Sequence, residues 1–181
     1  MRRIVVALAF ALLATSAWAE TPLRTAPLDG IAEPFEAAMN GSAFARQIGR
    51  TFDITLEGCK PGESDGKARV ECIYRVDDDL RVFFIAPTKE GPVREVQVQM
   101  IQGDGVPDSD FLPRFVGTME GVTAGILGRD FEPAERDRAQ QLFAKFEGNR
   151  PAGMERMDMP GTAMTFLKLP NQPVRVLWTL K

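Results

Sequence analysis

The chain has 181 residues, with 22 Lys and Arg against 25 Asp and Glu, and no histidine. The missing imidazole excludes Ser-His-Asp and Cys-His catalysis, His-ligated zinc hydrolysis and His-ligated haem. A mildly acidic chain without a basic run also matches nucleic acid poorly, so no nucleic-acid partner is expected.

Met1-Arg2-Arg3 is a short basic start, residues 4–14 form an apolar run, and Ala17 and Ala19 stand in an A-x-A arrangement. That order predicts a secretory signal peptide over 1–19, cut near Ala19 to leave Glu20 first. The run is far shorter than the roughly 20 residues of a spanning helix. No later stretch is long or apolar enough, so no membrane span is expected in the mature chain. The expected location is the periplasm or the extracellular medium. Cleavage would leave 162 residues (181 − 19) and a charge of −5, from 20 basic and 25 acidic residues. That length suits one ordinary domain.

Residues 20–30 are small and Pro-containing and read as a flexible lead. The single domain is expected over 31–181. Ile31, Phe35, Ala38, Met39, Phe44 and Ile48 keep helical spacing over 31–49. Asn40-Gly41 should break that helix, with Ser42 capping a second short piece. The period then changes to two. Phe52, Ile54 and Leu56 alternate with polar residues, as do Val70, Cys72, Tyr74 and Val76. Residues 80–87 are apolar on both faces, which marks an interior strand. Val96, Val98 and Met100 alternate with Glu95, Gln97 and Gln99 in a half-exposed one. Asp77-Asp78-Asp79 and residues 87–92 are the connecting turns.

Residues 103–110 form a turn-rich loop, with Ser109 or Asp110 as a candidate helix cap. Leu112, Phe115, Val116, Met119, Val122 and Ile126 then form one helical stripe, which Gly128 ends. A second helix should start at Glu132-Pro133 and run to 147, burying Ala139, Leu142, Phe143 and Phe146. Residues 150–161 read as loop, and strands follow over 162–169 and 174–180. The expected fold class is α+β: an antiparallel sheet, built from a four-strand meander plus a C-terminal hairpin, with helices packed on one face.

Cys59 and Cys72 are the only cysteines. Two thiolates without histidine do not make a structural zinc site, and the spacing is not that of a CxxC redox motif. In an exported chain the pair reads as a disulfide. Asp65-Gly66 is a strong hairpin turn, and folding there sets 59 opposite 72 at a non-hydrogen-bonded position. Strict alternation, however, would set Glu57, Thr55 and Asp53 against Tyr74 and Val76. A bulge at Gly58 or a looser 60–67 loop would restore the phase.

The remaining candidates are sparse. Tyr74, on an apolar face, reads as core. Asp104, Asp108 and Asp110 lack the spacing and the terminal Glu of a calcium loop. Met154, Met157 and Met159 are thioethers at short spacing and the only candidate metal ligands, for Cu(I). Glu155, Arg156 and Asp158 interleave them, and weak or no binding is expected, so no cofactor is assigned. Gly117, Gly121 and Gly125 form a bare ridge on one helix. It would suit close packing within the monomer, against 132–147, or a homodimer contact. The sequence therefore implies a small exported binding or interaction module with an unknown protein or small-molecule partner. The alternatives are a metal-handling protein using the methionines and a carboxylate-based enzyme.

Overall fold

A computed structural model describes residues 22–49, 51–77, 80–100, 108–146, 152–170, 172 and 174–181. The expected signal segment and cleavage site, the Asp78-Asp79 turn and residues 103–107 of the expected turn-rich loop lie outside these residues.

Two short elements open the described chain: α1 (Pro22–Thr25) and a 3-10 turn at Leu28–Gly30. Then come α2 (Ala32–Gly41) and α3 (Ala43–Ile48). Ser42 separates the pair as the Asn-Gly-Ser sequence implies. Its hydroxyl accepts from the Ala45 N–H and donates to the Met39 carbonyl. Four strands follow: β1 (Thr55–Ser64), β2 (Lys67–Asp77), β3 (Leu80–Ala86) and β4 (Glu95–Met100). The helices α4 (Asp108–Leu127) and α5 (Pro133–Ala144) precede β5 (Gly153–Met159), β6 (Thr162–Lys168) and β7 (Arg175–Leu180). The seven strands form one antiparallel sheet in the order β1-β2-β3-β4-β7-β6-β5.

The four-strand meander, the C-terminal β6–β7 hairpin and the α+β class stand, but the 150–161 loop needs correcting. Residues 153–159 are not loop; they are the edge strand β5, paired with β6 from Gly153↔Lys168 to Met159↔Thr162. Pro160-Gly161 makes the tight turn between them, with Gly161 at φ 71°. The prolines and glycines of 151–161 therefore punctuate the ends of a strand rather than dissolve it. The last strand joins the meander directly, because β7 pairs with β4.

The flexible lead is corrected too. Within 22–30, Leu23 and Leu28 are fully buried. The Leu28 and Asp29 N–H groups donate to the carbonyls of Gly91 and Lys89, and Pro27 bridges Pro92. Two apolar side chains in the core outweigh the proline content that suggested a loose segment. Ile48, expected on the apolar face, is instead 43% exposed at the end of α3. The helix α5 ends at Ala144, short of the expected 147.

One face of the sheet carries the core. Tyr74, Phe84, Val98, Val176, Trp178 and Phe166 point to the helices and are buried. Phe35 of α2 meets Tyr74 and Phe84 edge-on, with ring centroids 6.1 and 4.8 Å away. Burial raises the Tyr74 phenol pKa, so this hydroxyl is neutral across physiological pH. Trp178 is fully buried and its indole N–H donates to the Thr123 hydroxyl of α4 at 3.1 Å. The other tryptophan, Trp18, lies in the expected signal segment, so cleavage there would leave Trp178 alone. Its emission should be blue-shifted in the folded protein and shift red in denaturant. Red emission from the native protein would contradict this placement.

Two ion pairs fasten α5. The Arg129 guanidinium grips Glu135 with contacts of 2.6 and 2.8 Å, and Glu135 also accepts from the Glu132 N–H. The Arg129 hydrogen bond holds the Glu135 pKa below its usual value. Because the folded value is depressed, this stability is present above the ordinary Glu pKa of about 4.3 and lost as pH falls through the folded value. Arg136 Nε meets Glu120 Oε1 at 2.6 Å, and Glu120 is buried on α4. Removing the cation leaves the buried Glu120 carboxylate without this partner. Arg136→Met should cost about 2 kcal/mol, and Glu120→Gln added to it should recover part of that loss. Urea unfolding of both variants is the measurement; equal midpoints for wild type and Arg136→Met would show that the pair carries nothing.

Candidate functional site

The Cys59–Cys72 pair is bonded, with Cα atoms 4.0 Å apart. That separation is close to the spacing of a non-hydrogen-bonded antiparallel pair. Asp65 and Gly66 both have positive φ, 53° and 71°, which is the backbone of a type I′ hairpin. The register runs unbroken from Ser64↔Lys67 to Gly58↔Ile73 and then shifts to Leu56↔Tyr74. Glu57 is the extra residue. The bulge thus resolves the conflict of phase that the sequence poses, and the 60–67 segment stays paired. Cys72 is buried while Cys59 is exposed. The bond therefore ties the exposed edge strand to the sheet and offers no redox pair in a cleft.

The methionines do not converge. Alternation along β5 sends Met157 and Met159 to the core face, where they are 8% and 6% exposed. It sends Met154 to the opposite face, 71% exposed. Three thioethers split across a sheet cannot share one ion, and Met157 pairs in register with Met164 instead. Among the described residues no group of three or more His, Cys, Asp or Glu side chains could hold a metal.

The glycine ridge is occupied within the monomer, by α1, α2 and α3 rather than by 132–147. A Cβ on Gly117 would overlap the Phe44 ring. On Gly121 it would overlap the Met39 sulfur and come within 3.2 Å of the Met39 Cα. On Gly125 it would overlap Leu23 and stand 2.8 Å from the Ala38 Cβ. The bare ridge is what lets the N-terminal helices lie on α4, so it does not present a free face to a second copy.

What the structure adds is the other face of the sheet, which no helix among the described residues covers. Three rows cross it. The middle row is Ile73, Phe83, Gln97, Leu177, Thr165 and Arg156, paired strand by strand. The row on one side is Arg75, Arg81, Gln99, Arg175, Leu167 and Met154. On the other side run Glu71, Ile85, Glu95, Thr179, Ala163 and Asp158. Phe83, Leu177, Ile73 and Leu167 are half-buried, with no layer of described residues above them. Ile85 and Ala163 are buried.

The charges on this face are sorted. Arg75, Arg81 and Arg175 share one row. Arg81 is held by the bulge residue Glu57 at 2.8 Å. Glu71 of the opposite row meets Lys60 at 3.1 Å, and Glu95 accepts from the Gln97 amide. Asp158 accepts from Arg156 at 2.9 Å and lies 3.4 Å from Lys181. The Arg156 hydrogen bond holds the Asp158 pKa low. Arg175 differs: one nitrogen donates to Gln172, but its Nε is buried with no hydrogen-bond partner.

The sequence hides this surface for a physical reason. Ile73, Phe83 and Leu177 lie in strands whose other face is core, so each reads as one more apolar residue in an apolar run. Only the strand order brings them into one row. No helix among the described residues is long and apolar enough to cross a membrane. In comparisons with known proteins, no family model, curated protein or solved structure matches the chain.

Proposed function

We propose that the protein is a small exported binding module that works by contact through the open face of its sheet, without catalysis. The observation that supports this reading is the Ile73-Phe83-Leu177 row, left uncovered between a row of arginines and a row bearing carboxylates. A seven-strand sheet with one helical layer satisfies its core on one side. Apolar side chains on the other side are only half-buried by folding, whereas a partner can bury the rest of them. Histidine is absent, which leaves few catalytic options. The split methionines lend no support to metal handling, and no carboxylate pair among the described residues suggests an enzyme. The expected site of action is the periplasm or the extracellular medium, after cleavage near Ala19.

The test is a Phe83→Ser/Leu177→Ser variant, exported alongside wild type. In fresh exported extract, wild type should elute from gel filtration larger than the purified chain alone. The variant should elute at the size of the purified chain and keep wild-type far-UV circular dichroism. Identical elution of the two folded proteins would remove the open face from the account.

A further inference from the structure

We infer that the open face receives an amphipathic helix of a partner protein whose apolar stripe carries carboxylates along one flank. This rests on the reading that the open face is the contact surface, and adds the chemistry of what it contacts. Three observations carry it. First, the charges of the face are unequally answered. Glu71 has Lys60, Glu95 has the Gln97 amide and Asp158 has Arg156. In the arginine row Arg81 has Glu57, whereas the Arg175 Nε has no acceptor. A buried donor left unmade is costly, and a carboxylate that drew the guanidinium outward would satisfy it.

Second, the apolar and arginine rows lie close enough to serve one helix. Residues two apart on a strand, such as Ile73 and Arg75, stand about 6.8 Å apart along it. A helix with side chains is about 10–12 Å across and spans both rows. Third, the repeat fits. Neighbouring strands are about 4.8 Å apart, so Ile73, Phe83, Gln97 and Leu177 recur at that interval across the sheet. Successive turns of a helix recur at about 5.4 Å. A partner helix lying across the strands can set one apolar side chain over each position. Its carboxylates on one flank then fall over Arg75, Arg81 and Arg175. An extended segment crossing in the same direction repeats at about 6.8 Å and loses register within two strands.

The experiment uses the purified chain and two labelled synthetic peptides of about four helical turns. Each has a leucine stripe; one carries glutamates along one flank and the other carries lysines along that flank. Binding is read by fluorescence anisotropy. The glutamate peptide should bind at least about tenfold more tightly than the lysine peptide. Its affinity should fall as salt rises from about 50 to 300 mM, because the contacts are partly screened. Arg75→Glu/Arg175→Glu should reverse the preference, and Arg75→Gln/Arg175→Gln should abolish it without reversal. Lys89→Glu, on the β3–β4 connection, should change nothing. Trp178 emission reports whether each variant is folded. Equal binding of the two peptides, no binding of either, or a preference unmoved by the arginine variants would overturn the inference. So would capture of anionic vesicles or a sulfated polysaccharide through the same arginines with neither peptide bound. Those failures leave the open face itself untouched, since the Phe83→Ser/Leu177→Ser elution test asks only whether that face makes contact.

Discussion

Gly125→Ala should destabilise the protein by about 3 kcal/mol, the upper part of the range for overpacking a core. In an ordinary helix interior the same change would stabilise by roughly 0.5–1 kcal/mol. The sign reverses here because the new methyl would stand 2.8 Å from the Ala38 Cβ, on a helix backbone that cannot swing aside. Gly117→Ala meets the Phe44 ring instead, which itself stacks on Phe52 at 6.2 Å. Its cost should be smaller if that ring can turn. Urea unfolding followed by Trp178 emission gives both values. A raised midpoint for Gly125→Ala would mean that α1 and α2 do not sit on α4 as described.

Loss of the Cys59–Cys72 bond should cost about 3 kcal/mol, since it closes a loop with a sequence separation of 13. The loss should fall mainly on the β1–β2 hairpin. There β1 is an edge strand and Leu56 is 51% exposed, so little apolar burial substitutes for the covalent tie. Cys59→Ser/Cys72→Ser should therefore unfold at lower urea. Its amide exchange should speed up most in 55–77. Thiol counting on denatured wild type should find no free thiol. A double variant as stable as the parent would show that the hairpin stands by its strand pairing alone.

Much of the fold was legible because its signals were local. The Asp65-Gly66 turn set the Cys59-Cys72 register, and the phase conflict around Glu57 pointed to the bulge. Ser42 marked the break between α2 and α3. The errors came where local signals competed with long-range burial. Residues 22–30 look loose until Leu23 and Leu28 find α4 and the β3–β4 connection. Residues 153–159 look like loop because Pro151, Gly153, Pro160 and Gly161 surround them, although the alternation of Met157 and Met159 with charged residues is a strand signal. The glycine ridge was visible, but what fills it was not, since Phe44, Met39 and Leu23 are far from it in sequence. The open face was illegible for the same reason, because it exists only once β7 lies between β4 and β6.

The most direct measurement of the central claim is site-specific photo-crosslinking in exported material. A photoreactive side chain at position 83 reports on the open face, and one at Glu36, exposed on α2, reports on the helical side. The open-face reading predicts a discrete crosslinked species from position 83 that is absent or much weaker from position 36. Crosslinks from position 36 alone would contradict it and move the contact surface to the helices.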